Sequence, residues 1–149
     1  MIAMSCVKRP SYRAVGEVLD QLFRIVGYVH HELAAVSAEH GLTVQQAILL
    51  RSLDDPIPMR VLADELSCDP STVTGLVDRI ERLGLIERLP DQADRRVRLL
   101  TLTPEGRRVR NEISTHLATR TATRWNLDSN DFERLHDLLT GIGEEHSDG

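Results

Sequence analysis

The sequence predicts a mainly α-helical chain carrying one small β-hairpin, and three observations lead there. Apolar residues recur at helical spacing over long stretches near both ends. Between them, two short helical patterns meet at a tight turn, "SCDPS". Directly after the second, two alternating segments flank the polar loop "PDQAD", which is the pattern of a hairpin.

The first helix covers residues 12 to about 40, where Val15, Val18, Leu19, Leu22, Val26, Val29, Leu33 and Val36 make roughly one face apolar. Gly41 is a suitable stop. Thr43 and Gln46 have capping-box spacing for a second helix, 44 to about 53. "DDPIP" breaks that helix, because Pro56 and Pro58 lack a backbone donor. Residues 59–66 read as a short amphipathic helix with Val61, Leu62 and Leu66 inward.

After the turn, Asp69 suits an N-cap and Pro70 the first helical position, where a missing N–H costs nothing. This helix runs to about residue 83, with Val73, Leu76, Val77, Ile80 and Leu83 on one stripe and Gly84 as the stop. The pair is a helix-turn-helix. Residues 85–89 and 97–103 form the hairpin, the second strand setting Val97, Leu99 and Thr101 opposite Arg98, Leu100 and Leu102. A hairpin in that place is the wing of a winged helix-turn-helix. Thr103 and Pro104 open a further helix through Val109, Ile113 and Leu117 to about residue 124. "NLDSND" interrupts, and a last helix carries Phe132, Leu135, Leu138, Leu139 and Ile142 before a tail, "EEHSDG", expected to fray.

With 41% hydrophobic and 28% charged residues, the 149-residue chain reads as a globular protein with one well-buried core. No apolar run approaches the roughly 20 residues of a membrane helix. The start "MIAMSCVKRP" lacks a secretion-type apolar segment, and two cysteines are too few for a disulfide framework, so a cytoplasmic protein is expected. Cys68 is expected to pack inward as a structural thiol, while Cys6 precedes the first helix.

Charge is unevenly placed. Nine arginines and five acidic residues between positions 79 and 110 give that window +4; the chain total is −5, so the remainder carries −9. Lys8 is the only lysine, which explains the choice of arginine but not its clustering. A local basic region on an acidic body points to a polyanion met at one place. In a helix-turn-helix the second helix presents its N-terminal half to base edges in the major groove. Ser71, Thr72 and Thr74 are short donors and acceptors there, Gly75 permits close approach, and Arg79 extends to phosphate or guanine. The plainer alternative is that these hydroxyls only cap and solvate the first turn. Arg95, Arg96 and Arg98 lie in the wing, where arginine is drawn to a narrow minor groove. Asp94, two residues before Arg96, is expected to hold its guanidinium in one orientation. An ordinary solvated hairpin is the alternative.

The run "RVLADELSCDPSTVTGLVDRIERLGLIERLPDQADRRVRLLTLTPEG" strongly resembles the MarR family of winged-helix transcriptional regulators, most clearly in "STVTGLVDRIERLGLIER" and "DRRVRLLTLTPEG". The resemblance implies a mainly α-helical protein with helical dimerisation regions at 1–40 and 104–149 around a winged helix-turn-helix at 41–103. It implies an obligate homodimer, with contacts along residues 15–29 and 132–142, bound to a pseudo-palindromic duplex. Arg96 is the implied minor-groove residue and Asp94 its partner. It further implies a repressor released by a small, often aromatic and anionic effector, with Arg24, Tyr28, His31 and Arg51 as candidate contacts.

Two variants of the same regulator are less well supported. Peroxide-sensing members place a reactive cysteine within the first helix, and Cys6 falls outside it. Zinc sensing would draw on Glu32, Glu112 and His116, which have no recognisable ligand spacing. No metal or cofactor is expected. The sequence shows no nucleophile–base spacing, phosphate loop or paired catalytic carboxylates, so an enzyme is not expected. From a different class, the alternative is a winged helix used for protein contacts without DNA affinity.

Overall fold

The computed structural model describes residues 11–66 and 68–144. Cys6 and the end of the tail lie outside them. The element order is α1 (Tyr12–Glu39), α2 (Val44–Ser52), β1 (Ile57–Pro58), α3 (Met59–Glu65), α4 (Pro70–Arg82), β2 (Ile86–Pro90), β3 (Arg98–Leu102), α5 (Pro104–Trp125) and α6 (Ser129–Glu144).

Local chemistry sets most of these boundaries. The Ser11 hydroxyl accepts from the Ala14 N–H and opens α1. At its end Gly41 takes φ +68°, a left-handed conformation that glycine adopts without a Cβ clash. The capping box of α2 is complete: Thr43 Oγ1 accepts from Gln46 N at 3.3 Å, and Gln46 Oε1 from Thr43 N at 2.8 Å. Thr103 starts α5 in the same way, accepting from Gly106 N at 3.0 Å.

The sheet has the order β1-β3-β2, antiparallel throughout. Its edge strand β1 is absent from the sequence reading. Two residues carry no periodicity, and the flanking prolines read as a break. Pro58 is tolerated there because an edge strand has a side that needs no donor. On β3, Leu100 and Leu102 are buried while Leu99 and Thr101 on the other face are half-buried, the alternation the sequence predicts; Arg98 shares the face of Leu100 but is exposed at the outer end of the hairpin.

The core gathers around this sheet. Leu49, Leu50, Leu53, Leu62, Val73, Val77, Ile80, Ile86, Leu100 and Ile113 are almost completely buried. Helix α1 contributes only from its C-terminal half, through Leu33 and Val36, and α5 through Val109, Ile113 and Leu117. Elsewhere the apolar stripe of α1 is uncovered, Val18 being 58% and Val26 63% exposed. Leu138 and Ile142 on α6 are similarly exposed.

Four details correct the sequence reading. Val61 is exposed, because the inward stripe of α3 runs Met59, Leu62, Ala63, Leu66 and Val61 falls off it. Leu83 is exposed, since it follows Leu76, half-buried at the edge of the α4 stripe, two turns on. Asp69 occupies the N-cap position of α4 without a side-chain bond; its backbone oxygen instead receives Thr72 N and Val73 N. Cys68 is exposed, its thiol placed 3.2 Å from the Leu66 carbonyl oxygen, because Leu66 takes the inward position at this turn.

Candidate nucleic-acid interface

Helix α4 separates its faces cleanly. Val73, Val77 and Ile80 anchor it to the core, while Ser71, Thr72, Thr74, Gly75 and Arg79 are exposed. The Thr74 hydroxyl donates to the Pro70 carbonyl at 2.7 Å, so its oxygen remains as an acceptor. Among the described residues the Ser71 and Thr72 hydroxyls make no intramolecular hydrogen bond. No heavy atom outside the helix's own backbone lies within 4 Å of where a Cβ on Gly75 would stand. The outward surface of α4 therefore combines short polar side chains with one uncovered stretch of backbone.

The wing is a hairpin of β2 and β3, with Pro90 opposite Arg98 at its outer end. Two aspartates shape its tip. Asp91 Oδ1 accepts from Ala93 N at 2.9 Å and Asp94 Oδ1 from Arg96 N at 3.0 Å. The second bond corrects the role expected of Asp94. Its carboxylate holds the backbone of Arg96, and among the described residues it forms no ion pair with the guanidinium. An acidic side chain two residues before an N–H closes an Asx turn, a local bond that needs no ordering of a long arginine side chain. Arg95, Arg96 and Arg98 are all exposed.

The structure also divides the nine arginines of the basic window. Arg88 bridges Asp78 and Glu81 on α4. Arg108 pairs with Glu105 and Glu112, which raises the arginine's pKa and lowers that of Glu105, chiefly through the hydrogen bond between them. Arg110 reaches Asp54 at 2.6 Å and the Leu53 carbonyl at 3.0 Å. Among the described residues Arg79, Arg82, Arg95, Arg96, Arg98 and Arg107 have no carboxylate partner. Five of these six lie on α4 or the wing. The sequence alone does not reveal this division, because the pairs of Arg88 and Arg110 join separate elements.

The four candidate effector residues are not brought together. A cleft of ≈ 580 Å³ between α1 and α2 is lined by Val26, Val29, Leu33 and Ile48, with His30, Arg51 and Ser52 as polar groups. Arg51 also borders a second cleft of ≈ 340 Å³ beside Leu117 and Phe132. Tyr28 sits elsewhere, under the Arg124 guanidinium at 4.7 Å from the ring centroid. Arg24 and His31 are exposed and line neither cleft. His30 is not among the sequence candidates, yet it is four residues after Val26 and three before Leu33, spacing that puts it on their helix face.

Glu32, Glu112 and His116 do not converge either. Glu32 faces Arg120, Glu112 faces Arg108, and His116 lies 3.7 Å from Glu39. None of the described helices is long and apolar enough to cross a membrane.

Comparison with known proteins bears on the fold and the family. The MarR family model matches residues 42–97, the stretch containing α2, the helix-turn-helix and the first strand and tip of the wing. The chain is 30% identical over 106 residues to the HTH-type transcriptional regulator MgrA of Staphylococcus aureus, covering 70% of this chain and 71% of that one. The chain belongs to the MarR family. It is a winged-helix transcriptional regulator. Within the family it is 42% identical over 80 residues to the transcriptional activatory protein BadR of Rhodopseudomonas palustris, a match spanning 50% of this chain and 45% of BadR. Among solved structures, CouR from Rhodococcus jostii RHA1 bound to p-coumaroyl-CoA superposes with a TM-score of 0.73 at 26% identity, covering 89% of this chain and 95% of CouR.

Proposed function

We propose that this MarR-family protein is a homodimeric, sequence-specific DNA-binding regulator that represses transcription by occluding a promoter. The observation that carries the reading is the pairing of two surfaces. The exposed polar face of α4 and the carboxylate-free arginines of the wing occupy one winged unit. Ser71, Thr72, Thr74 and Arg79 would read the major groove. Arg96 would enter the flanking minor groove from a tip shaped by Asp94, with Arg95 and Arg98 on phosphates.

The uncovered apolar residues of α1 and α6 support a dimer built from residues 1–40 and 104–149, with 41–103 as the DNA-reading unit. Two such units read half-sites about one helical turn, roughly 34–36 Å, apart. The protein acts in the cytoplasm, without a metal or cofactor, and the reading contains no catalytic step.

An effector releases the dimer only if it binds a non-matching arrangement more tightly than the DNA-bound one. The cleft beside His30 and Arg51 suits a small molecule with an apolar or aromatic body and an anionic group. The p-coumaroyl-CoA found in CouR has that general character. Of the four sequence candidates Arg51 is kept; Arg24, Tyr28 and His31 would act only through the partner subunit.

The name of BadR favours a second reading, in which the bound dimer activates transcription. A reporter driven from the native promoter separates the two by the sign of the change on deletion. The DNA reading itself is tested by selecting duplexes from a random library with the full chain. Enrichment of a two-fold symmetric site is expected, and failure to enrich any duplex would sink it.

A further inference from the structure

Two carboxylates are an unhelpful addition to a helix that must approach a polyanion. Helix α4 nevertheless places Asp78 and Glu81 three residues apart beside its free arginines, Arg79 and Arg82. Both carboxylates are turned to one group. Arg88 stands on β2 opposite Leu100 of the central strand, and its side chain is 29% exposed. Its Nη2 donates to Asp78 Oδ1 at 2.5 Å, while Nη1 donates to Glu81 Oε2.

Among the described residues these are the sole side-chain hydrogen bonds between α4 and the hairpin. Besides these, the short turn between α4 and β2 is tied by Leu85 N donating to Ile80 O at 3.2 Å, and the faces themselves meet through apolar packing, which resists separation but is non-directional and fixes rotation less well. A planar guanidinium spanning two acceptors one helical turn apart supplies that missing direction.

We propose that Arg88 is a positioning residue: it fixes the angle between α4 and the wing, so that both engage one duplex at once. The proposal rests on the DNA-binding reading above. Its logic is that of two linked binding surfaces. Once α4 is seated, a wing held at the matching angle binds intramolecularly, whereas a wing free to pivot forfeits that advantage. Arg88 thus contributes to operator affinity without touching DNA, and the acidic pair on α4 is there to hold it.

The Asp78→Asn/Glu81→Gln variant separates this role from a simple charge effect, because it removes two negative charges from the DNA-facing helix. The probes are a duplex selected by the wild-type chain and a random duplex of equal length. Charge alone predicts tighter binding to both, with their affinity ratio unchanged. Positioning predicts that the ratio of selected to random affinity falls about tenfold, within the range of coupling between groups in one network. Arg88→Lys should lower it in the same direction, since an ammonium keeps the charge but cannot span both carboxylates.

A double-mutant cycle adds a readout that general loosening would not move. In the Asp78→Asn/Glu81→Gln background, Arg96→Ala should cost much less than in the wild type, because the wing is no longer held over its groove. An unchanged or raised ratio in a folded variant overturns the proposal while leaving DNA binding intact. Additive effects with Arg96→Ala do the same. If the double variant does not fold, Arg88→Lys decides by the same ratio. A wild-type chain that selects no duplex removes the DNA reading and this proposal together.

Discussion

The Leu85 carbonyl oxygen lies 1.8 Å from the position that a Cβ on Gly106 would occupy. The first turn of α5 is therefore pressed against the turn joining α4 to the wing. Thr103 fastens the same joint: its N–H donates to Leu85 O at 3.1 Å and its hydroxyl to Gly84 O at 2.7 Å. Because the obstruction is backbone, it cannot swing aside as a side chain would. Gly106→Ala should destabilise the fold by about 1–3 kcal/mol or more, the scale of overpacking a filled interior. Gly75→Ala meets nothing and should stabilise α4 by up to about 1 kcal/mol. Urea unfolding of the two variants checks this, and equal shifts of the same sign would refute the contrast.

Assembly is the second expectation. Leu19 is 47% and Leu138 68% exposed on helices that otherwise lack a cover for their apolar residues. Sedimentation should give a dimer for the wild type and loss of that species for Leu19→Glu/Leu138→Glu. A monomeric wild type at micromolar concentration would disprove the assignment.

The third concerns which side chains read sequence. Arg96→Ala should weaken binding to all duplexes and lower the magnitude of the salt slope, by about one for each phosphate no longer neutralised. Thr72→Ala and Arg79→Ala should also shift base preference at defined positions of the selected site. An Arg96→Ala variant with wild-type affinity and slope would show that the wing stays off the DNA.

The fourth is a titration. The hydrogen bond from Arg108 holds the Glu105 carboxyl below its ordinary range in the folded chain. Stabilisation from this shift is present above the unfolded pKa and is lost as pH falls through the lower folded one. Carboxyl carbon shifts followed by NMR should show the depressed midpoint, and Arg108→Ala should return it towards the unfolded range. A Glu105 midpoint unaffected by Arg108→Ala would contradict the cause.

Much of the fold is written in short-range signals. The Thr43–Gln46 capping box, Pro70 at a helix start, Thr103 before Pro104 and the left-handed Gly41 and Gly84 each depend on residues close in sequence. Helical stripes likewise mark Val73, Val77 and Ile80 as inward. What the sequence conceals is non-local or ambiguous. Strand β1 exists because β3 pairs with it, and nothing within two residues announces that. Arg88 reads as one more charge of the basic window until α4 and β2 are set side by side. Asp94 could satisfy either the backbone or the guanidinium of Arg96, and spacing cannot choose. The effector candidates diverge for a related reason: Arg51 lines the cleft, but His30 does so in place of His31, its neighbour on the other side of the helix.

The central claim is that the α4 surface and the wing arginines bind duplex DNA. It is tested most directly by measuring affinity for the selected duplex between about 50 and 200 mM salt, where released counterions make log affinity fall linearly with log salt. The account predicts a steep negative slope for the wild type and a shallower one for Arg96→Ala. Absence of binding at about 50 mM salt, or an affinity indifferent to salt, would contradict it.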